Sequence, residues 1–330
     1  MSKTVVAVLR GGPSSEYDVS LKSGSTVLRH LEQSPLNEKY QPVDVLISRD
    51  GQWHRDGYER PPARALAGAD VIFNALHGQF GEDGGVQKIL DDISLPYTGS
   101  QAFASAVGMN KLLTKKIFQQ AGIKTPYYIV IRHNDDVREK YDQIFHSFLL
   151  PFIVKPARAG SSVGVTIVKK YIDFFSALEA AFAHSDTALV EEYIRGQEAT
   201  CGVIDTFRNQ TRYALPPVEI VPPTTSQFFD YRAKYGGGNE AAQERCPGNF
   251  SPAQKQEIER AAIAAHEALG ARHYSRTDFL VNPQRGIYAL EINTLPGLTD
   301  ASLLPKSLDA IGASLGDFFD HVINLARNEK

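Results

Sequence analysis

The segment 276–293 constrains the fold of this 330-residue chain more than any other. Its sequence, RTDFLVNPQRGIYALEIN, has two runs of alternating apolar and polar residues on either side of residues 282–286. Such alternation around a turn rich in Asn, Pro and Gly predicts a β-hairpin. Because side chains two residues apart lie on one face of a strand, Glu291 and Asn293 leave the hairpin together. Asp278 lies on the strand that pairs with theirs.

These three side chains predict a metal site. Asp278, Glu291 and Asn293 offer hard oxygen donors without His or Cys, a set that suits Mg²⁺. Any one of them alone is explained as well by a polar residue on a solvated strand. The set of three, flanked by Arg276 and followed by the sequence Asn-Thr-Leu-Pro-Gly297, favours the metal site.

The first hundred residues predict a parallel α/β layer. Continuous apolar, β-branched runs at 4–9, 43–48 and 71–76 are typical of buried parallel strands, and the first and third run into glycine-rich loops. Ligands of such layers bind at the carboxyl ends of the strands. Glu16, in the first loop, could bind a substrate ammonium group. His77, in the second, could contact a carboxylate, although a structural role is the alternative.

A second glycine-rich segment predicts a phosphate-binding loop. The residues KPARAGSSVG at 155–164 lie between predicted strands at 152–154 and 163–168 and offer backbone N–H groups and two hydroxyls, Ser161 and Ser162. They match neither a Walker A motif nor a dinucleotide fingerprint, so a merely flexible loop remains an alternative. Lys155 ends an apolar strand, where a lysine either reaches water or meets an anion.

Two more lysines could bind phosphate. Apolar residues at 109, 113, 117 and 121 predict a helix, and Lys111 faces away from that stripe. Lys234 is the other candidate. Each lysine, taken alone, is more often an ordinary surface residue.

The sequence EEYIRGQE at 191–198 begins within the end of a predicted strand at 189–193 and combines hydrogen-bond acceptors with apolar side chains. Glu191 and Glu198 could accept hydrogen bonds from an adenine amino group or ribose hydroxyls, and Tyr193 and Ile194 could form an apolar wall. The alternative is a solvated acidic loop.

Further on, Ser251 and Gln254 predict a capping box, Pro252 occupies the first helical position and Gly270 follows the helix end. An amphipathic helix is predicted near the carboxyl terminus. We place soft domain boundaries near residues 100 and 190, which gives segments 1–100, 101–190 and 191–330.

Composition excludes several functions. The net charge of −3 provides no basic surface for nucleic acid, and the longest apolar stretch, around 148–154, is too short for a membrane span. Without a signal-peptide pattern and with only two cysteines, we expect a cytoplasmic protein. Nucleophile–base motifs are absent from the sequence. Cations, a phosphate loop and oxygen ligands together favour Mg²⁺-assisted phosphoryl transfer.

Seven collinear motifs then resemble one family over nearly the whole chain. They are GGPSSEYDVSLKSG, LHGQFGEDGGVQ, MNKLLTK, VKPARAGSSVGV, EEYIRGQE, FFDYRAKY and RTDF…EINTLPGLTDASLLPK. In this order they resemble the D-alanine–D-alanine ligases of the ATP-grasp superfamily. The resemblance implies three domains, namely an N-terminal parallel α/β layer and a two-domain ATP-grasp part of α+β character.

The resemblance also implies roles for named residues. Asp278, Glu291 and Asn293 match the ligands of two Mg²⁺ or Mn²⁺ ions; Lys111, Lys155, Lys234 and Ser162 match the contacts to ATP phosphates; Glu191, Tyr193, Ile194 and Glu198 match the contacts to adenosine. Glu16 and His77 match the first D-alanine subsite, Ser302 and Leu303 the second, and Arg276 with the Gly297 amide the oxyanion site. Ser161 and Tyr235 match a pair that closes mobile loops with Glu16.

The same resemblance implies ligation of two D-alanines through an acyl-phosphate, in a homodimer that serves cell-wall synthesis. Three positions depart from the usual motifs: Asn110 replaces an aspartate, Glu192 differs from many relatives and 236–245 is longer than in some. A ligase that accepts D-serine or D-lactate is the nearest rival, although Tyr235 argues against a D-lactate ligase. A nucleotide-binding regulatory protein without catalysis is the second.

Overall fold

The computed structural model describes residues 2–160, 163–222 and 242–328. Within them the strands are β1 (Thr4–Gly11), β2 (Tyr40–Ile47), β3 (Trp53–Arg55), β4 (Tyr58–Glu59), β5 (Val71–Asn74), β6 (Tyr128–Arg132), β7 (Phe152–Pro156), β8 (Thr166–Val168), β9 (Thr187–Glu192), β10 (Gln197–Asp205), β11 (Arg212–Ala214), β12 (Val218–Val221), β13 (Gln243–Arg245), β14 (Tyr274–Asn282) and β15 (Gly286–Asn293). The helices are α1 (Tyr17–Leu31), α2 (Leu36–Lys39), α3 (Pro62–Ala65), α4 (Gly85–Ile93), α5 (Ala102–Gly108), α6 (Lys111–Gln120), α7 (Val137–Ser147), α8 (Phe174–Phe182), α9 (Pro252–Leu269), α10 (Leu303–Asp309) and α11 (Leu315–Asn328).

The first sheet has the order β4-β3-β2-β1-β5. β1 pairs in parallel with β2 and with β5, whereas β3 and β4 extend the edge beyond β2 as antiparallel strands. The predicted parallel layer is therefore confirmed. Residues Val6, Ala7, Val8 and Leu9 are fully buried, as expected for a central strand covered on both faces.

The second sheet, β6-β9-β7-β8, is antiparallel, and α8 packs on it. Aromatic side chains of α7 and α8, among them Phe145 and Phe174, pack around Phe152. The predicted strand at 163–168 is shorter than expected, because the described strand β8 begins only at Thr166. Residues 163–165 continue the loop instead.

The third sheet has the order β13-β12-β10-β14-β15, with β11 paired to β10. The β14–β15 hairpin confirms the first prediction, and its register sets Asp278 opposite Glu291 and Arg276 opposite Asn293. α9 covers this sheet. Its capping box of Ser251 and Gln254 and its left-handed cap at Gly270 are as predicted.

The predicted apolar stripe of α6 is wrong. Leu113 is 40% exposed, whereas Lys115 and Phe118 are fully buried. Met109 caps the preceding helix α5 and does not belong to α6. The burial of Lys115 depends on an acidic partner distant in sequence, so helical periodicity could not reveal it.

Helix α11 returns to the first sheet. Its residues Phe318 and Phe319 share one core with Val6, Val8 and Phe73. The carboxyl-terminal segment thus completes the amino-terminal layer, while the boundaries near 100 and 190 stay predictions. None of the helices in the described ranges is long and apolar enough to cross a membrane.

Candidate active site

Two adjoining cavities bring the predicted site residues together. The first lies between the loops after β1 and β5, the end of β15 and α10; its predicted members are Glu16, His77, Lys111, Arg276, Glu291, Asn293, Gly297, Ser302 and Leu303. The second lies between the second and third sheets; its predicted members are Lys111, Lys155, Glu191, Tyr193, Ile194, Glu198, Asp278 and Glu291. Lys111 and Glu291 line both cavities. The predicted residues Ser161, Ser162, Lys234 and Tyr235 lie outside the described residues.

The two carboxylates of the hairpin each contact a different cation. Arg276 donates from Nε to Asp278 Oδ1 over 2.9 Å and from Nη2 to Oδ2 over 3.0 Å. Thr200 Oγ1 donates to Asp278 Oδ1 over 2.6 Å. Lys111 Nζ lies 2.6 Å from Glu291 Oε2. The acidic cluster is therefore neutralised by cations of the protein itself.

This donor set fits a divalent cation. A carboxylate has about four acceptor positions, so the contacts of Asp278 and Glu291 leave room for further partners. No group of three or more His, Cys, Asp and Glu residues suited to a metal occurs in the described part of the chain. The third predicted oxygen is that of the Asn293 amide, whose Oδ1 also accepts a hydrogen bond from Leu295 N over 2.9 Å. An all-oxygen set of this kind suits Mg²⁺.

Helix α6 begins where the predicted metal ligands meet the predicted phosphate loop. Asn110 caps it, since its Oδ1 accepts from the backbone N–H groups of Leu112 and Leu113. Asparagine thus performs the capping that this position requires. The next residue, Lys111, donates from Nζ to Ala159 O over 2.9 Å. Lys111 consequently joins the predicted phosphate loop to Glu291.

Beside the second cavity lies a buried ion cluster that the sequence did not reveal. Glu191 is 2% exposed, and its two oxygens lie 3.0 Å from Lys115 Nζ and 2.9 Å from Lys155 Nζ. Lys115 also donates to Thr125 Oγ1 over 2.7 Å. Lys155 is therefore paired with Glu191, and Lys115 is an additional cation of the site. Its spacing of four residues from Lys111 on one helix was the only available signal.

The same cluster shifts the ionisation of its members. Burial by itself would raise the pKa of Glu191, but Lys115 and Lys155 together lower it. Burial lowers the pKa of Lys115 to about 8, opposed by attraction to Glu191. At neutral pH the cluster thus contains an ionised carboxylate between two ammonium groups.

Glu192 lines the second cavity, and its carboxylate is hydrogen-bonded to other parts of the protein. Its carboxylate accepts from Tyr127 N over 2.9 Å and from Arg285 Nη2 over 2.8 Å. Ile194, 3% exposed, supplies the predicted apolar wall.

His77 is hydrogen-bonded on both ring nitrogens. Nδ1 lies 3.0 Å from Leu295 O, a carbonyl that can only accept, so Nδ1 bears a proton, and Nε2 lies 2.8 Å from Ser23 Oγ. Glu82 lies beside it, and burial raises the pKa of this carboxyl. In this arrangement His77 fixes the loop after β15 against the first sheet. Direct contact with a substrate carboxylate stays a prediction.

Glu16 lies against the phosphate loop. A Cβ added to Gly160 would lie 2.8 Å from Glu16 Oε1, so a side chain at 160 would displace one of the two. At the other end of the first cavity, a Cβ on Gly297 would lie 2.8 Å from Ser302 Oγ. Both glycines therefore permit close approach around the space between Glu16 and Ser302.

One further charged pair lies at the rim of the first cavity. Glu244 lines the cavity, and its carboxylate pairs with Lys306 of α10. Sequence reasoning missed Glu244, because β13 shows no motif of its own.

Comparisons with known proteins agree over the whole length. A family model described as "D-ala D-ala ligase C-terminus" matches residues 117–324, and one described as "D-ala D-ala ligase N-terminus" matches 5–65 and 57–100. The chain is 39% identical over 328 residues to a D-alanine–D-alanine ligase of Geobacter sulfurreducens, covering 98% of this chain and 94% of the relative. A D-alanine–D-alanine ligase of Pelobacter propionicus is 40% identical over 311 residues, covering 94% and 91%.

Solved structures give the same result for the fold. The VanG D-Ala:D-Ser ligase from Enterococcus faecalis is similar with a TM-score of 0.86 and 28% identity, covering 98% of this chain and 100% of that one. The D-alanine–D-alanine ligase from Coxiella burnetii is similar with a TM-score of 0.85 and 27% identity, covering 99% and 95%.

Proposed function

This chain belongs to the D-alanine–D-alanine ligase family, and we propose that it joins two molecules of D-alanine to D-alanyl-D-alanine with conversion of ATP to ADP and phosphate. The observation that supports this most is that Lys111 and Glu291 line both cavities. A nucleotide in the second cavity would present its terminal phosphate to a carboxylate in the first. Such a junction suits formation of an acyl-phosphate.

The residues around the second cavity bind the nucleotide in this proposal. Glu191, Ile194 and Glu198 contact adenosine, together with the backbone beside Tyr193. Lys111, Lys155 and Lys234 neutralise the phosphates and Ser162 donates a hydrogen bond to them, because phosphoryl transfer depends mainly on positioning and charge compensation. Asp278, Glu291 and Asn293 would bind two Mg²⁺ or Mn²⁺ ions. When bound, these ions supply charge neutralisation at the phosphates.

The reaction proceeds in two steps. The carboxylate of the first D-alanine, oriented by Glu16 and the His77 loop, attacks the γ-phosphorus, and ADP leaves. The amine of the second D-alanine then attacks the acyl carbon, phosphate leaves and the nitrogen loses a proton. Arg276 and the Gly297 N–H stabilise the oxyanion that develops in between. Ser302 and Leu303 bind the carboxylate of the second D-alanine.

Loop closure excludes water from the acyl-phosphate. The proximity of Gly160 to Glu16 supports a closed arrangement in which Ser161 and Tyr235 join Glu16. The product would serve peptidoglycan precursor synthesis in the cytoplasm, and we propose a homodimer, as the family resemblance implies.

The acceptor is the point at which a related function competes. One similar structure is named a D-Ala:D-Ser ligase. D-lactate, which has a hydroxyl group in place of the amine of D-alanine, is a third candidate acceptor. We therefore propose a product screen with purified protein, ATP, Mg²⁺ and D-alanine, alone or with D-serine or D-lactate. D-alanyl-D-alanine as the main product, with stoichiometric phosphate release, is expected. Phosphate release without a dipeptide, or a dominant mixed product, would contradict the proposal.

A further inference from the structure

Lys115 is a buried lysine at the nucleotide cavity that the proposed reaction does not use. Its side chain is 0% exposed, yet its ammonium group lies 3.0 Å from Glu191 Oε1. Hydrogen bonds to Thr125 Oγ1 and to Pro126 O, at 2.7 and 3.3 Å, fix its orientation. A buried lysine of this kind is costly unless it has a specific partner. The partner here is Glu191.

Glu191 has two lysine partners, which differ in access to the cavity. Lys155 Nζ lies 2.9 Å from Glu191 Oε2, and its side chain is 9% exposed and lines the cavity. Two ammonium groups and one carboxylate leave one excess positive charge beside the proposed nucleotide. Lys155 can turn toward an anion only if Glu191 keeps another cation, because an unpaired buried carboxylate is strongly unfavourable.

We propose that Lys115 is a positioning residue of the nucleotide site, which keeps the Glu191 carboxylate paired while Lys155 turns to the phosphates of ATP. This inference rests on the proposed function, since it takes ATP as the anion. The proposed effect of Lys115 on nucleotide binding is confined to the phosphates. Loss of Lys115 would leave Lys155 paired with Glu191. It would therefore weaken the binding of ATP without a comparable change in the binding of adenosine.

The test compares the affinities of ATP and adenosine for the full-length protein in Mg²⁺, by competition with a fluorescent ATP analogue. Lys115→Met should lower the affinity for ATP on the order of 10- to 100-fold and the affinity for adenosine by less than about 3-fold. Lys116→Met, at the exposed neighbouring position of α6, is the matched control and should change neither. An equal loss for both ligands indicates a purely structural role and overturns the inference, as does unchanged ATP affinity.

A second variant protects the test against misfolding. Lys115→Met combined with Glu191→Gln removes both buried charges and releases Lys155. Because Glu191 is also an adenosine contact in the proposed function, the readout for this variant is the ratio of its ATP affinity to its adenosine affinity, in which a lost adenosine contact cancels; this ratio should exceed that of Lys115→Met alone. Where Lys115→Met unfolds, the ratio in the double variant should still lie within about tenfold of that in the unmodified protein; a larger fall overturns the inference. Failure of the proposed function would instead appear in the unmodified protein, as absence of phosphate release that depends on D-alanine.

Discussion

Asp278 lies directly opposite Glu291 in the β14–β15 register, and the two carboxylates contact different cations. Arg276 binds Asp278 with two parallel hydrogen bonds, whereas Lys111 contacts Glu291 from the start of α6. Asp278 pairs with Glu291 but Phe279 pairs with Ala289, so β15 has one extra residue, Leu290, at this point. One end of the hairpin therefore brings together the proposed oxyanion residue, the proposed metal ligands and the proposed phosphate loop.

Replacement of a metal ligand should change the metal requirement first. Partners that merely orient metal ligands typically contribute 10- to 100-fold to affinity, so Glu291→Gln should raise the half-saturating Mg²⁺ concentration at least about 10-fold and lower turnover. Phosphate release measured across a Mg²⁺ series checks this. Glu257→Gln, at an exposed position of α9, is the control. An unchanged Mg²⁺ requirement in Glu291→Gln would remove this residue from the metal site.

Arg276→Lys should impair the chemical step. Lysine keeps the charge but lacks the planar fork that binds Asp278 and the oxyanion. Loss of one oxyanion donor commonly lowers turnover by about 10²–10³, so we expect a fall in kcat of roughly 100-fold with little change in the KM for ATP. Steady-state kinetics against ATP and D-alanine separate these effects. Normal kcat with a raised KM for D-alanine would assign Arg276 to ground-state binding, and Arg260→Lys serves as the surface control.

The affinity for ATP should fall at alkaline pH. Burial lowers the pKa of Lys115 to about 8, and the charged or aromatic groups that face it are Glu191 and Glu192 of β9, Lys155 of β7 and Tyr128 of β6. Below this pH the ammonium form pairs with Glu191; above it the amine is neutral and Lys155 becomes the sole cation of Glu191. The affinity for ATP should therefore be lower at pH 9 than at pH 7. In Lys115→Arg, whose charge persists, the decrease should disappear.

A buried cluster away from the cavities should govern acid stability. Asp205 Oδ1 lies 2.9 Å from His266 Nε2, and Oδ2 accepts from His273 N over 2.7 Å. Burial opposes ionisation, but these partners and Arg212 lower the pKa of Asp205 below its ordinary value of 3.8. Its contribution is therefore complete above that value and is lost as pH falls through the lower native pKa.

Asp205→Ala should accordingly lower the free energy of unfolding by about 3 kcal/mol at pH 7. Urea titrations at pH 7 and below pH 4 measure the difference from the unmodified protein, which should narrow in acid. Asp92→Asn, at an exposed position, should have little effect at either pH. A difference that is independent of pH would point to lost packing.

Local patterns predicted the parts of the site that depend on local geometry. The hairpin pairing of Asp278 with Glu291 followed from strand periodicity and a turn, and the capping of α9 followed from Ser251 and Gln254. The assignment of named substrates required the family resemblance, because oxygen ligands and lysines alone indicate only phosphoryl transfer. The boundaries of the three domains are still predictions.

Long-range pairs could not be predicted from those patterns. Lys115 and Glu191 are far apart in sequence, and each resembles an ordinary surface residue when taken alone. Their burial is favourable only because the folded chain brings Lys115 of α6 within 3.0 Å of Glu191 of β9. On the same helix Leu113 is 40% exposed, because the buried positions are those of Lys115 and Phe118.

The return of α11 to the first sheet has a consequence for biosynthesis. The core around Val6, Val8 and Phe73 is complete only when Phe318 and Phe319 join it. At about 5–20 residues per second, β5 leaves the ribosome on the order of ten seconds or more before Phe318 is made. The amino-terminal layer, although translated first, is therefore expected to reach its final packing only after Phe318 and Phe319 have left the ribosome.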